Sequence, residues 1–219
     1  MKKKLRVDFH VHSEYSSDSV ISSDDLVEYA IKRSLDAVAI TDHNQIKGAL
    51  DIARKIDLLI IPSIEVSTRD GHLVGLNVSK TVPKGMSAED TIERIHSQGG
   101  LAVACHPFAW FKGSLGNKIS KRFDAIETVN SSSFPFERCK KRANMIADRL
   151  NLAKIAGTDA HIPQSIGFSY AILEAEPTIE GIMHAILEKR SQSFGLPLPV
   201  SLRIKKKFML IKKYSRKKR

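Results

Sequence analysis

Residues 5–12 read LRVDFHVH. Apolar and polar residues alternate as they do along a strand. The run closes on His10 and His12, which are spaced i and i+2 and so project from the same side of an extended chain. The ending recurs. Residues 37–43 read AVAITDH, 58–65 read LLIIPSIE, 101–106 read LAVACH and 153–161 read AKIAGTDAH. Each is a short apolar run that stops on a histidine, an acid or both. Strands are expected at 5–10, 37–41, 58–64, 101–105, 125–129, 153–156 and 169–173. Most are rich in Val, Ile, Leu and Ala, as strands covered on both faces should be.

Helical patterns fall between them, at 22–34, 45–56, 87–97, 135–150 and 178–189. The first opens on Ser22-x-x-Asp25, a capping box with Asp in place of Glu. A small hairpin fits 69–77. Strands alternating with helices predict an α/β fold, a seven-stranded parallel (β/α) barrel, with an open doubly wound sheet as the alternative. In either architecture the C-terminal strand ends form one rim, where function collects. Five of the seven expected strand ends carry His, Asp or Glu. Imidazole and carboxylate together are a donor set for zinc, manganese or iron. Burying so many titratable groups at one rim is unfavourable unless cations pair them. His96 and His184 fall within helices, away from that rim.

A chain of 219 residues, 42% of them hydrophobic, fits one domain better than two. Cys105 and Cys139 are too few and too scattered for a zinc finger or a disulfide framework. A reducing cytoplasm is the expected compartment. The basic start MKKKLR resembles part of a signal peptide, but Asp8 and His10 break the apolar run that should follow. The net charge of +11 is concentrated: residues 203–219 hold ten Lys or Arg and no acid, leaving 25 basic and 24 acidic residues in 1–202. The expected organisation is a near-neutral domain over 1–195 and a basic tail over 196–219. Ile204, Phe208 and Ile211 recur at helical spacing in that tail, so either a basic amphipathic helix or a solvated tail is open. Its expected role is contact with RNA or an anionic membrane, apart from any chemistry.

The strings DFHVHSEYSSDS, ITDHN, IEVS, ACHP and GTDAH resemble the PHP superfamily, named for polymerase and histidinol phosphatase. The motifs span residues 8 to 161 and are specific together. The resemblance implies a distorted seven-stranded (β/α) barrel with two to three divalent ions (Zn, Mn or Fe). It places His10, His12, Glu65 and Asp159 on a first ion. Glu65, His72 and His106 fall on a second, and Asp18, His43 and His161 on a third. Asp18 competes with Glu14, Asp24 and Asp25. For His72, a surface-turn histidine is the alternative. Asp42 is expected to orient a ligand, and Cys105 to point away from the site into the core. Lys112, Arg138 and Asn130 are candidates to contact phosphate.

The function implied is hydrolysis of a small phosphomonoester, such as a nucleotide, a sugar phosphate or a histidinol-phosphate-like compound, by metal-activated water. A nuclease acting on RNA or DNA ends is the second reading, and the basic tail favours it. A non-catalytic module in a nucleic-acid complex is the third, disfavoured because every matched ligand position is filled.

Overall fold

The alternation in LRVDFHVH produces β1 (Lys3–Val11), whose Leu5, Val7 and Phe9 share one apolar cluster with Ala37 and Ala39 of β2 (Ala37–Ile40) and Ile61 of β3 (Leu59–Ser67). Val38, Ile40 and Ile60, of the opposite parity, pack in a second cluster with Leu26 and Ala30 of α1 (Ser23–Lys32). The two parities thus separate an inner core from an outer layer between sheet and helices. The Ser22 hydroxyl accepts from the Asp25 amide and the Asp25 carboxylate accepts from the Ser22 amide, completing the expected capping box. The computed structural model describes residues 1–217.

The chain continues through α2 (Lys47–Ala53), β4 (His72–Leu76), α3 (Ala88–His96), β5 (Leu101–Ala104), β6 (Ala125–Asn130), α4 (Phe136–Leu150), β7 (Ala153–Gly157), β8 (Ser169–Ala175), α5 (Ile179–Leu187), β9 (Ser191–Gly195) and α6 (Val200–Lys217). Nine strands form one sheet in the order β7-β6-β5-β4-β3-β2-β1-β8-β9. This corrects the expectation of seven parallel strands. β4 is antiparallel to both neighbours, and β8 and β9 run antiparallel beyond β1. The remaining pairs are parallel. β9 escapes the sequence pattern because SQSFG lacks an apolar run and alternates only between half-buried and exposed positions. Phe194 of β9 stacks on Tyr170, ring centroids 5.7 Å apart.

The sheet nearly closes on itself. At the rim, the segment after β7 meets β1: the Asp159 amide donates to the His10 carbonyl at 2.8 Å, and the His12 amide to the Ala160 carbonyl at 2.9 Å. Lower down, β1 pairs instead with β8, through Lys3 to Val7. Ile182, Met183 and Ile186 of α5 join the inner cluster and plug the end opposite the rim. The pairing of β1 with β2 slips between Asp8 and Val11. Such an irregularity re-aims side chains: Phe9 belongs to the inner core, yet His10 and His12 both meet the inner Glu65 carboxylate.

The C-terminal segment is not a detached tail. α6 lies against the body, with the Arg203 guanidinium donating to the carbonyls of Ser131, Ser132 and Ser133 at 3.1–3.3 Å. The anchoring partners are backbone carbonyls, which leave no mark in the sequence. No helix among the described residues is long and apolar enough to cross a membrane.

Closure of the sheet depends on Gly157. A Cβ there would overlap the His10 Cβ and the Glu127 carboxylate and stand 2.9 Å from the His10 amide nitrogen. Gly157→Ala should therefore cost about 1–3 kcal/mol by overpacking. Urea unfolding should show the midpoint falling at unchanged slope. An unchanged midpoint would contradict this account of the closure.

Candidate metal centre

Glu65 stands at the end of β3, buried, and its carboxylate touches five imidazoles. His106 Nε2 and His72 Nδ1 lie 2.9 Å from Oε1. His43 Nδ1, His12 Nε2 and His10 Nε2 lie 3.1, 3.2 and 3.4 Å from Oε2. On one side of it, His12 Nε2 is also 3.3 Å from Asp159 Oδ1 and 3.2 Å from His10 Nε2. On the other, Asp18 Oδ2 sits 3.3 Å from His43 Nε2 and 3.1 Å from His161 Nε2. All nine expected residues come together.

Each arrives by a local device. His10 and His12 come from the irregular end of β1, and His43 follows β2. The β3–β4 hairpin returns His72 opposite Ser67, two residues from Glu65. His106 and Asp159 follow β5 and β7 with φ of 30° and 54°. Left-handed backbone is costly for residues bearing a Cβ and collects at functional sites. Among the competitors for the Asp18 position, Asp25 caps α1, and the Glu14 backbone carbonyl accepts from Lys213.

The surrounding groups partly contradict the sequence reading. Asp42 accepts from the Ser13 amide and hydroxyl at 2.7 and 2.6 Å, so it fixes the chain after His12 and not a ligand ring. The Cys105 thiol does not point away. It lies 3.7 Å from Glu65 Oε1 and 3.6 Å from His106 Nε2, beneath the site. Arg138 stands by the Trp110 ring, and Asn130 donates to Glu127 at 2.9 Å. Only Lys112, paired with Asp159, reaches the pocket.

Two buried carboxylates escaped the sequence reading. Glu127 accepts the His106 amide at 2.6 Å and lies 3.3 Å from His10 Nδ1. Asp8 accepts from the amides of His10, Thr158 and Gly167 and from the Thr158 hydroxyl. Asp8 falls in the alternation of β1, at the position of a solvated polar residue. Glu127 interrupts the apolar run AIETV, and a buried-strand reading gives an acid there no partner.

Burial resists ionisation of Glu65 and Asp18, but the imidazoles around them prevail. His10, then the hydrogen bonds of His106 and His12, hold Glu65 well below the usual carboxylate range. His161 and His43 do the same for Asp18. Burial also opposes charge on His10, yet Glu127 and Glu65 raise it to about 9. Burial lowers His106 to about 4.

Four overlapping groups have donor atoms close enough to share an ion: His10, His12 and Asp159; His10, Glu65 and His106; His43, Glu65 and His72; and His12, Asp18, His43 and His161. His12 Nδ1 and His106 Nδ1 are buried without a hydrogen-bond partner among the described residues. Converging imidazole and carboxylate donors fit divalent cations better than a network of hydrogen bonds alone. Above the donors opens a cavity of about 250 Å³.

The sequence model of the PHP domain family matches residues 8–99, and that of a PHP-associated family matches residues 138–191. An uncharacterised protein of Methanocaldococcus jannaschii is 33% identical over 141 residues, 58% of this chain and 82% of that protein. A 5′-3′ exoribonuclease of Haemophilus influenzae is 38% identical over 91 residues, 38% of this chain but only 32% of the exoribonuclease. Among solved structures, a two-domain Bacteroides vulgatus protein containing a predicted PHP-like metal-dependent phosphoesterase superposes with a TM-score of 0.73 at 19% identity. That match covers 89% of this chain and 66% of the other.

His10 gives a pH test. An imidazole in an unfolded chain titrates near about 6.5. The folded value is raised to about 9 when no cation is present. The stability it contributes to metal-free protein is therefore complete below about pH 6.5 and is lost as pH rises through about 9. A cation must displace that proton to use the nitrogen. The thermal shift that Zn²⁺ produces in chelator-treated protein should be larger near about pH 8.5 than near about pH 6. Equal shifts, measured calorimetrically, would count against His10 as a donor.

Proposed function

Since the chain belongs to the PHP domain family, we propose that it is a metal-dependent phosphoesterase acting on small phosphomonoesters. In this reading His10, His12, Asp18, His43, Glu65, His72, His106, Asp159 and His161 hold two to three divalent ions (Zn, Mn or Fe). The observation that carries it is the meeting of five imidazoles on Glu65, with Asp159 and Asp18 to either side, beneath a cavity of phosphate-ester size. Divalent cations there would supply a nucleophilic water at neutral pH and Lewis-acid stabilisation of a phosphoryl oxygen.

The chain's own groups prepare that chemistry. Glu127, close to His10 Nδ1, keeps the opposite nitrogen directed at Glu65 and His12. Asp8 fixes Thr158, whose neighbour Asp159 must turn inward on a left-handed backbone. Lys112 brings a positive charge to the cavity and offsets Asp159. No serine or cysteine nucleophile is needed. Cys105 is buried, and burial followed by the Glu65 and Glu127 charges pushes its thiol well above the usual range, away from thiolate.

The second reading, hydrolysis at RNA or DNA ends, is favoured by the resemblance to the exoribonuclease. The outward side of α6 suits contact with an anionic polymer or membrane, because Lys205 and Lys207 flank exposed Ile204 and Phe208 there. Substrate size separates the readings. Activity on mononucleotides and sugar phosphates with none on end-labelled RNA supports the first, and the reverse supports the second. Protein purified without chelator should contain zinc, manganese or iron. Protein that holds none of these and hydrolyses no phosphoester when they are added would end both.

Substitutions test the site map. His12→Ala and Asp159→Ala should abolish hydrolysis in a chain that still folds. Glu127→Gln, which weakens the support of His10 and His106, should lower metal affinity or turnover about 10–100-fold. His96→Ala should leave activity near normal, because that ring is exposed and pairs with Asp124 at 2.7 Å, away from the centre. Steady-state assays of the four variants decide the matter. An inactive His96→Ala beside an active His12→Ala would overturn the map.

A further inference from the structure

α6 leaves an apolar stripe on its outer side. Val200, Ile204, Phe208, Ile211 and Tyr214 recur every three or four residues and are all exposed. A surface helix normally turns such a stripe inward. Here cations face the body, beside half-buried Leu202, Met209 and Leu210. Arg203 donates to the Leu198 carbonyl at 3.0 Å as well as to the carbonyls of Ser131, Ser132 and Ser133 after β6. Ten residues on, the Lys213 ammonium donates to the carbonyls of Glu14 and Ser16 at 3.1 and 2.8 Å, and to that of Ser19, in the loop after β1. The helix is thus tied at two points to loops that follow different strands of the rim, and it spans the space between them.

Lys206 lies between these ties, one turn after Arg203 and seven residues before Lys213, on the same side of the helix. It lines the cavity above the metal centre, as Lys112 does. Lys112 is engaged by Asp159, whereas Lys206 makes no ion pair or hydrogen bond with the described residues. Burial pushes its ammonium down to about 8, although Asp18 and Glu65 favour the charge. A half-buried cation with no partner, aimed into a polar cavity, is costly unless an anion completes it.

We propose that α6 is a strap across the metal centre and that Lys206 binds the free oxygens of a terminal phosphoryl group from the side opposite the metal ligands. The ligand class is a phosphomonoester dianion, or inorganic phosphate as product. This rests on the phosphoesterase reading of the ligands below. A strap anchored on both sides of the cavity crosses the path that a continuous chain would take, so the site takes phosphoryl ends in preference to internal phosphodiesters. Lys206 binds and orients the group, and no covalent step passes through it.

The test uses the full chain loaded with Mn²⁺. Metal content is measured first, then inorganic phosphate binding by calorimetry, then steady-state kinetics on p-nitrophenyl phosphate and on its bis-ester. Lys206→Ala should keep the metal and bind phosphate about 10–100-fold more weakly, the loss expected for one charge-assisted hydrogen bond. KM for the monoester should rise more than kcat falls, and the preference for monoester over diester should narrow. Lys206→Arg should recover most of the phosphate affinity. Lys4→Ala, an exposed cation at the opposite end of β1 from the rim, should resemble the unmodified chain. Unchanged phosphate binding in a metal-loaded Lys206→Ala protein overturns the proposal, whatever the activity. If phosphate binding depends on Lys206 but no phosphoester is hydrolysed, the clamp stands and the catalytic reading fails.

Discussion

A carboxylate buried among five imidazoles is the constraint on which this structure turns. Glu65 has about 1% of its surface exposed, and an isolated buried carboxylate would be strongly disfavoured. Hydrogen-bonding imidazoles keep it ionised, but those rings must be delivered from separate strands. That need accounts for much of the architecture. β3 continues past the end of its parallel partner β2 to carry Glu65. The chain then doubles back as antiparallel β4, placing His72 beside the same carboxylate. A wholly parallel barrel has no hairpin at that point and could not bring a seventh-residue neighbour back to Glu65.

The rings need support of their own, and it is also buried and acidic. Glu127 serves His10 and the backbone of His106, while Asp8 serves Thr158, Gly167 and the His10 amide. Burial raises Asp8 to about 6 against the pull of four donated hydrogen bonds. Several buried acids around one cluster of histidines leave a negative interior that cations would offset. The same arrangement explains why Gly157 must lack a side chain. Any Cβ there would enter the space where Glu127 and His10 meet.

The residues that converge at the rim are legible in the sequence because they are confined to strand ends, and strand ends follow apolar runs. LRVDFHVH and AKIAGTDAH can each be read alone. The barrel type is less legible. β9 owes its place to antiparallel pairing with β8 and to the contact of Phe194 with Tyr170, both of them long-range. The side of Cys105 is misread because His106 beside it leaves the strand on a left-handed turn, so strand parity no longer separates the two residues. Glu127 is invisible because a lone acid in a strand carries no information about which imidazole will meet it.

The C-terminal helix shows the same limit most clearly. In the sequence, ten cations beside an apolar stripe read as a solvated or surface-seeking segment, with the stripe as the adhesive face. The structure reverses those roles for the inward side: Arg203 and Lys213 dock on carbonyl groups that any sequence would supply, and the stripe is left in solvent. Carbonyls at the ends of strands and in the loops after them have incomplete backbone pairing, so the rim of a barrel offers acceptors in the same place that it offers metal ligands. Backbone carbonyls can therefore hold a basic helix at the rim. Once there, a cation on its inner side that finds no carbonyl stands over the candidate metal centre. Lys206 is that cation, and the rim geometry that gathers histidines from five strands also places a positive charge opposite them.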